Sequence, residues 1–349
     1  MSLLLPELPL IPYAAPTGRF TTGVWRYRAS LPTLPECTLG EGGTALLPSR
    51  SAGTGATLYV KVEATNPTGS FKDRGSALVI SAALYHRSTK IAIASTGNAG
   101  ASMAAYAARF GLHLVVVAPK STDMGKLWQI TAHGAEIRMV DGAYGECETE
   151  YNRLVASGFF PGGSDNPYRQ EGSKTIAFEL FDELGPRLKR VIVPVGTGGL
   201  IHAIHKGFRE IALAHGPGVM PAIDGVELSA LRPLSAEPAR DAAAATAATG
   251  INIAQPLCRA AALGAIAETG GMIHSVDEDE IVAAQLQLAT DDGIGAEPTG
   301  CVGFAAYRKA VAARRIATDE LTVVIVTGHI LKRPMLTAER RGGGRQRDG

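Results

Sequence analysis

The chain has 349 residues, of which 46% are hydrophobic and 19% are charged, and its formal net charge is +1. This composition is typical of a globular protein of about two domains. Because 34 basic residues are balanced by 33 acidic residues, the overall charge gives no case for nucleic acid or an anionic membrane surface as a partner.

Other features of the sequence concern the cellular compartment and metals. The four cysteines lie far apart and form no CxxC pair, so we interpret them as reduced thiols of a cytoplasmic protein. The apolar N-terminal stretch is interrupted by Pro6, Pro9 and Pro12, so we expect no signal peptide, and no apolar run is long enough for a membrane span. His202 and His205 have a spacing that suits metal ligands, but without an evident third ligand we expect no metal site.

From about residue 58 onward, short β-branched runs alternate with longer alanine-rich segments of helical spacing. The predicted strands are LYVKVEA (58–64), IAIAS (91–95), LVVVAP (114–119), EIRMV (136–140), VIVPV (191–195), IDGVEL (223–228) and LTVVIVT (321–327). The predicted helices span residues 72–87, 98–110, 122–133, 145–157, 171–184, 200–214, 256–268, 277–290 and 298–314. Continuous apolar strands separated by helices indicate buried parallel sheets with helices on both faces. The fold class predicted from this pattern is α/β, doubly wound.

The first turn of interest is NPTGSFKDRG (66–75), which places one lysine, Lys72, near the first turn of a predicted helix. The partial positive charge of a helix N-terminus disfavours a cation, and burial behind Phe71 acts in the same direction, so we expect the pKa of Lys72 to be lowered. An amine that is partly neutral at pH 7 can attack carbonyl groups. The alternative is a solvated lysine paired with Asp73.

The second turn, ASTGNAGAS (94–102), also joins a strand to a helix. The hydroxyls of Ser95 and Thr96 and the backbone N–H groups of Gly97 and Asn98 would face a ligand at a helix N-terminus, where a carboxylate fits. The side-chain amide of Asn98 adds a donor for an oxygen atom. The alternative is a cluster of helix caps, because Ser, Thr and Asn are preferred at that position.

Two further turns follow the strands predicted at 191–195 and 321–327. In VGTGGL (195–200), glycines allow close approach of the backbone to an anion, but Ile201 stands where a dinucleotide fingerprint requires glycine. The loop therefore suits a single phosphate group, with a ligand-free tight turn as the alternative. In VTGH (326–329), Thr327 would carry a hydroxyl to the carboxyl edge of the sheet.

One cofactor accounts for all four turns. Pyridoxal 5′-phosphate has an aldehyde for Lys72, a phosphate for the loop 196–200, a ring oxygen for Asn98 and a ring nitrogen for Thr327. It stabilises negative charge on carbon next to an amino group. The sequence therefore predicts an enzyme that uses this cofactor on a small amino-acid substrate.

The same motifs resemble the threonine synthase family of fold-type-II pyridoxal-phosphate enzymes. The resemblance runs from TLGEGGTAL (38–46) to VTGHILKRP (326–334) and includes SDNPYRQEGSKTIAFEL (164–180) and VPVGTGGLIHAIHKGF (193–208). It implies two doubly wound α/β domains with the cofactor between them and a homodimer. We expect a large cofactor-binding domain at 20–75 plus 158–335, a small domain at 76–157 and a disordered tail at 336–349.

The resemblance also implies a role for each matching cofactor-site residue. Lys72 would form the Schiff base and shuttle protons, Phe71 would support the ring, Asn98 would bind the ring hydroxyl and Thr327 would meet the pyridine nitrogen. Glu297 would lie close to the cofactor in a lesser role. The cofactor phosphate would be held by Gly196, Thr197, Gly198, Gly199 and Leu200, chiefly through backbone N–H groups.

For the substrate, the resemblance implies conversion of O-phospho-L-homoserine and water to L-threonine and phosphate. The loop of Ser95, Thr96 and Gly97 would bind the substrate carboxylate. Its phosphate would be bound by Ser164, Asn166 and Arg169, the last because a guanidinium pairs with phosphate bidentately. For Arg169 the alternative is a salt bridge to Glu171 or Asp165.

Three departures from the family pattern keep other substrates open. One is GHILKRP (328–334) in place of the commoner GHGLKDP, which introduces Ile330 and Arg333. Ala99 follows Asn98 where many members carry a hydroxyl, and Leu200 closes the glycine loop where several carry an asparagine. Apolar residues there would weaken recognition of a second phosphate. The alternatives are a related enzyme of β- or γ-replacement on phosphoserine or acylated homoserine, and a serine or threonine dehydratase.

Overall fold

The structure is a computed structural model of the chain, and it describes residues 5–17, 23–51, 57–122, 124–142, 144–237 and 242–332. The predicted tail at 336–349 lies outside these residues, as do the first and last three residues of the predicted large domain. Within the described part of the chain, no helix is long and apolar enough to cross a membrane.

Strands and helices alternate through most of the described chain. In chain order the strands are β1 (Leu46–Pro48), β2 (Leu58–Val62), β3 (Lys90–Ala94), β4 (His113–Pro119), β5 (Glu136–Val140), β6 (Phe160–Pro161), β7 (Arg190–Pro194), β8 (Ala222–Leu228), β9 (Ile273–Val276) and β10 (Thr322–Val326). The α-helices are α1 (Lys72–Tyr85), α2 (Asn98–Arg109), α3 (Met124–Ala132), α4 (Tyr144–Ala156), α5 (Pro167–Ser173), α6 (Thr175–Leu184), α7 (Gly199–His215), α8 (Arg259–Glu268), α9 (Glu278–Asp291) and α10 (Pro298–Ala312).

The described strands form two sheets. The larger has the order β1-β2-β10-β7-β8-β9, and all its pairs are parallel except β1 with β2, which is antiparallel at the edge. The smaller has the order β5-β4-β3-β6 and is wholly parallel. The chain order of the strands differs from their spatial order, which is the arrangement of doubly wound α/β folds.

Alternate residues of each strand pack on opposite faces of the larger sheet, as the two-residue period of a strand requires. Val324 of β10 packs in a cluster with α9 and α10, whereas its neighbours Val323 and Ile325 pack in a cluster with α6 and α7. The smaller sheet behaves in the same way, because Ile91 faces α1 and α2 and Ala92 faces α4. Both sheets are therefore covered on two faces, and the predicted α/β fold class is confirmed.

The structure also differs in detail from the predicted elements. Strands β1, β6 and β9 have only two to four residues, too few to show a hydrophobic period, and were not predicted. The helix predicted at 171–184 is two helices that meet at Lys174, whose buried ammonium group binds Glu171 and Glu210. The division of the chain into domains at the boundaries given above stays a prediction.

Candidate active site

The four turns lie at the carboxyl ends of parallel strands, and backbone hydrogen bonds join two of them directly. Phe71 N donates to Thr327 O at 3.0 Å, and His329 N donates to Gly69 O at 2.9 Å. The segment before α1 therefore runs beside the end of β10. Because these carboxyl ends meet at one edge of the larger sheet, Lys72 and Thr327 are brought close although 255 residues separate them in the chain.

The residues around Lys72 hold the start of α1 in place. Asn66 Oδ1 accepts from Gly42 N at 2.9 Å. The carboxylate of Asp73 accepts from both the backbone N and the hydroxyl of Thr68, each at 2.6 Å. Asp73 is thus occupied by Thr68 and not by Lys72, so the alternative of a Lys72–Asp73 pair does not match the structure.

Lys72 is half-buried, and its Nζ lies 4.4 Å from the centroid of the Phe71 ring. Within the described residues, no ion pair or hydrogen bond engages this amine. Loss of hydration, reinforced by the positive charge of Arg169, lowers the pKa of Lys72 from 10.5 to about 8, and the carboxylate of Glu297 acts weakly in the opposite direction. The amine is therefore still mainly protonated at pH 7, and its neutral form becomes the major one only above about pH 8.

A cleft opens in front of this amine. It brings together seven residues predicted for the site, which are Phe71, Lys72, Ser164, Arg169, Thr197, Gly199 and Leu200. Three residues that were not predicted, Gly75, Gln170 and Ser173, complete the lining. The cleft therefore lies between the starts of α1 and α7 and one face of α5.

Arg169 is a buried cation held by backbone carbonyls. Its Nε donates to Gly162 O and Gly163 O at 3.0 and 2.9 Å, and its Nη2 donates to Gly162 O at 2.7 Å. Burial lowers the pKa of Arg169 to about 10, so it stays charged at neutral pH. The alternative of a salt bridge does not match the described structure, because no carboxylate pairs with Arg169 and Glu171 binds Lys174 and Lys206.

Asn166 has a structural position at the start of α5. Its side-chain oxygen accepts from Tyr168 N at 2.9 Å, which caps the helix, and its amide nitrogen donates to Pro161 O at 2.7 Å. Both ends of the side chain are therefore bound to backbone, and Asn166 does not line the cleft. Its predicted contact with substrate stays a prediction.

The glycine loop between β7 and α7 is closely packed from behind. A Cβ atom on Gly196 would lie 2.3 Å from Gly250 O, and one on Gly198 would lie 2.8 Å from Cys258 O. Gly198 also has φ of +86°, in the left-handed region that favours glycine. The loop leads into the 17-residue helix α7, whose first N–H groups and dipole favour an anion. The loop therefore fits a single phosphate group.

The loop from Ser95 to Asn98 precedes α2. The position of a Cβ atom on Gly97 is open, with no other atom within 4 Å, and Gly97 N donates to Ser95 Oγ at 3.4 Å. Asn98 Nδ2 donates to Glu297 Oε1 at 2.8 Å. Because Glu297 N also donates to Gly328 O, this contact joins α2 of the smaller sheet to the end of β10.

Thr327 carries a buried hydroxyl that can bind a cofactor. Its residue is only 3% exposed, and its hydroxyl oxygen is buried without a hydrogen-bond partner in the described residues. A buried hydroxyl without a partner is destabilising, so its retention indicates a group that binds it. A pyridine nitrogen is an acceptor or donor of the right kind, and the residues present therefore fit pyridoxal 5′-phosphate.

Sequence reasoning did not predict the role of Arg74, which lies two residues after Lys72. Its buried guanidinium binds the carboxylates of Glu63 and Glu179 at 2.6 to 2.8 Å. These carboxylates come from the end of β2 and from α6, so the network fixes α1 between them. The position of Arg74 inside the 66–75 motif could have indicated a role for it. Its partners could not be identified from the sequence, because they lie up to 105 residues away in the chain.

Comparisons with known proteins agree with this geometry. A family model described as pyridoxal-phosphate dependent enzyme matches residues 37–328. The threonine synthase of Methanosarcina acetivorans is 39% identical over 326 residues, covering 89% of this chain and 80% of that protein, and that of Halalkalibacterium halodurans is 38% identical over 322 residues, covering 88% of each. Threonine deaminase isoform 2 of Solanum lycopersicum shares the fold, with a TM-score of 0.74 over 98% of this chain and 95% of that one at 21% identity.

Proposed function

Since this chain belongs to the threonine synthase family of pyridoxal-phosphate-dependent enzymes, we propose that it converts O-phospho-L-homoserine and water to L-threonine and phosphate. The reaction class is that of a lyase acting on a carbon–oxygen bond. The bond from the γ-carbon to the phosphate oxygen breaks, and the oxygen of water is added at the β-carbon.

The cofactor is held by the residues that the four turns bring together. The glycine loop 196–200 would bind its phosphate, Thr327 would bind its ring nitrogen, and Asn98 would bind its ring oxygen. Phe71 would support the ring, and Lys72 would react with the aldehyde. When bound there, pyridoxal 5′-phosphate withdraws electrons from carbon atoms next to the substrate amino group.

Lys72 moves the protons of the reaction at its Nζ atom. With a pKa of about 8, the amine can accept a proton as a base and return it as an acid near neutral pH. One mobile amine can perform the proton transfers in succession. It removes protons at the α- and β-carbons, delivers a proton to the γ-carbon after phosphate leaves, and returns a proton to the α-carbon after water addition at the β-carbon, while the proton lost by water is taken up by the released phosphate. The aromatic ring of Phe71, whose centroid lies 4.4 Å from Lys72 Nζ, limits the access of water to the amine. This loss of hydration keeps the pKa of Lys72 low.

Substrate is held at both of its charged ends. The loop of Ser95, Thr96 and Gly97 binds the carboxylate at the start of α2, where N–H groups point outward. Ser164 and Arg169 bind the phosphate in the cleft, and Asn166 holds the start of α5 beside them. Glu297 fixes Asn98 through the hydrogen bond of 2.8 Å.

The observation that carries this proposal is the pairing of two different groups in one cleft. Lys72 is an amine with a lowered pKa, and Arg169 is a buried guanidinium without a carboxylate partner in the described residues. The proposed reaction needs an amine that transfers protons and a cation that binds the phosphate of the substrate, and the cleft contains both.

Turnover tests the proposal directly. Purified enzyme with pyridoxal 5′-phosphate and O-phospho-L-homoserine is expected to release phosphate and L-threonine in equal amounts. Release of a 2-oxo acid would instead indicate a dehydratase, and no release of phosphate would contradict the proposed substrate.

The second candidate is β- or γ-replacement on another activated amino acid. Leu200 lines the cleft as an apolar side chain at the position where the glycine loop meets α7, and it offers no hydrogen bond to a second phosphate. O-phospho-L-serine and O-acetyl-L-homoserine, assayed beside O-phospho-L-homoserine under the same conditions, decide between the candidates through their kcat/KM values.

We also propose that the enzyme is a cytoplasmic homodimer. The support for a dimer is the family resemblance, and the support for the compartment is the presence of free cysteines at all four positions. Light scattering of the purified enzyme measures the mass directly, and a value of about 36 kDa instead of twice the chain mass of 36.4 kDa would contradict the dimer.

A further inference from the structure

Helix α5 turns two unassigned polar side chains toward the cleft. Gln170 and Ser173 line it together with Arg169, and their residues are only 9% and 6% exposed. They are three positions apart, so they lie on the same face of the helix. Neither side chain has a hydrogen-bond partner within the described residues.

The polar ends of these two side chains remain open to the cleft. Most of each residue is buried, but the amide of Gln170 and the hydroxyl of Ser173 are not among the polar atoms that are fully enclosed by protein. Because no protein group in the described residues binds them, their donors are available to a ligand in the cleft.

The surroundings specify the charge of that ligand. The cations of Lys72 and Arg169 line the same cleft, and no acidic residue lies in its described lining. The amide nitrogen of Gln170 and the hydroxyl of Ser173 can donate hydrogen bonds. Two cations and two neutral donors around one space suit an anion with several acceptor oxygens.

We propose that Gln170 and Ser173 donate hydrogen bonds to a phosphate monoester bound in this cleft. The inference rests on the proposed function, which brings two such esters here, one on the cofactor and one on the substrate. The glycine loop reaches the cleft through Thr197 and Gly199, and Arg169 lines it from α5, so the two side chains share one cleft with the residues proposed for both phosphates.

The test compares the holoenzyme with the variants Gln170→Leu, Gln170→Glu and Ser173→Ala. The matched control is Gln287→Leu on α9, whose amide donates to Ser51 O far from the cleft. For a substrate phosphate, Gln170→Leu raises KM for O-phospho-L-homoserine and the inhibition constant of inorganic phosphate by about 10- to 100-fold, with a smaller change in kcat. If the ligand is instead the cofactor phosphate, Gln170→Leu raises the dissociation constant of pyridoxal 5′-phosphate by a similar factor. The change is measured as loss of the absorbance of bound cofactor on dilution.

Gln170→Glu keeps the shape of the side chain and places a negative charge beside the phosphate. Gln170→Glu is therefore expected to have a larger effect than Gln170→Leu, either on KM and phosphate inhibition or on cofactor retention. KM, phosphate inhibition and cofactor retention that all match the control would overturn the proposal. So would a fall in the unfolding temperature of Gln170→Leu with none of the three changed, because that result indicates a purely structural role.

Failure of the proposed function gives a different pattern. In that case the unmodified enzyme releases no phosphate from O-phospho-L-homoserine. Binding of inorganic phosphate and retention of the cofactor can still be compared between the unmodified enzyme and the variants. These two measurements test the role of Gln170 and Ser173 without turnover of the proposed substrate.

Discussion

At the scale of single residues, the chemistry depends on the environment of one amine. Lys72 has a pKa of about 8 because burial removes hydration from the charged form and Arg169 repels it, while Glu297 partly offsets both effects. A group with a lowered folded-state pKa is neutral above that pKa. The base form of Lys72 therefore increases as the pH rises through about 8.

We predict that the rate at which the cofactor-free enzyme binds pyridoxal 5′-phosphate covalently rises with pH to a plateau above about 8, because the neutral amine of Lys72 is the form that reacts with a carbonyl group. Glu297→Gln removes a charge that raises the pKa of Lys72, so the rising limb should move to lower pH. Arg169→Gln removes a charge that lowers the pKa, so its limb should move to higher pH. Profiles measured from pH 6 to 10 check both directions, and a common shift of the two variants would contradict this account.

Thr327→Val tests the buried hydroxyl that lacks a partner. Valine has nearly the same shape, so the variant is expected to unfold at the same temperature as the parent or slightly higher in the absence of cofactor. Cofactor affinity should fall by about 2- to 10-fold, which corresponds to one neutral hydrogen bond of about 0.5–1.5 kcal/mol. An absorbance titration with pyridoxal 5′-phosphate measures the change.

Thr322→Val is the matched control for that measurement. Thr322 is a fully buried threonine at the opposite end of β10, and its hydroxyl donates to Glu320 O at 3.0 Å. This variant should lose stability and keep its cofactor affinity. Equal losses of cofactor affinity in the two variants would indicate a general effect on β10.

At the scale of elements, the start of α1 is fixed by charges that never reach solvent. Arg74 makes paired hydrogen bonds to Glu63 and to Glu179, and Lys61 binds Glu179 at 2.8 Å. Such a network is costly to bury, but removal of one member leaves the others without compensation. The motif 66–75 thus encodes both the reactive amine and the residue that positions its helix.

Arg74→Met is expected to lower the free energy of unfolding by about 3–5 kcal/mol, because the buried carboxylate of Glu63 loses its cation and that of Glu179 keeps only Lys61. Urea unfolding measures the change. Arg153→Ala on α4 serves as control, since solvent screens its exposed pair with Glu150 and the variant should therefore change stability little. Similar losses in both variants would contradict the distinction between buried and exposed pairs.

At the scale of the whole molecule, the segment 5–17 ties separate parts of the chain together. Tyr13 packs against Phe178 and Tyr27, and its hydroxyl donates to Asp182 at 2.5 Å. Lys206 Nζ donates to Leu8 O at 2.7 Å. The segment therefore lies across α6 and α7, on the face of the larger sheet that these helices cover.

Tyr13→Ala should lower the free energy of unfolding by about 3–5 kcal/mol, as for other buried aromatic side chains. Denaturant unfolding measures it, with Tyr85→Ala as control because Tyr85 is 60% exposed. An unchanged midpoint for Tyr13→Ala would show that the segment contributes little to stability.

The sequence by itself determined the alternation of strands and helices and the family, because periodicity, turn residues and the motif around Lys72 are local features. It also indicated Thr327 and the glycine loop as binding groups. The roles predicted for these residues at the cofactor and substrate stay predictions, and the structure supports them through the fit of the cleft.

Only the tertiary structure decided which side chains are already occupied and which remain available. Asp73 is bound by Thr68, Asn166 by backbone and Arg74 by carboxylates distant in sequence, whereas Gln170 and Ser173 face the cleft without partners. The physical reason is that hydrogen-bond satisfaction and burial depend on contacts between distant parts of the chain. A pattern of neighbouring residues carries no information about those contacts.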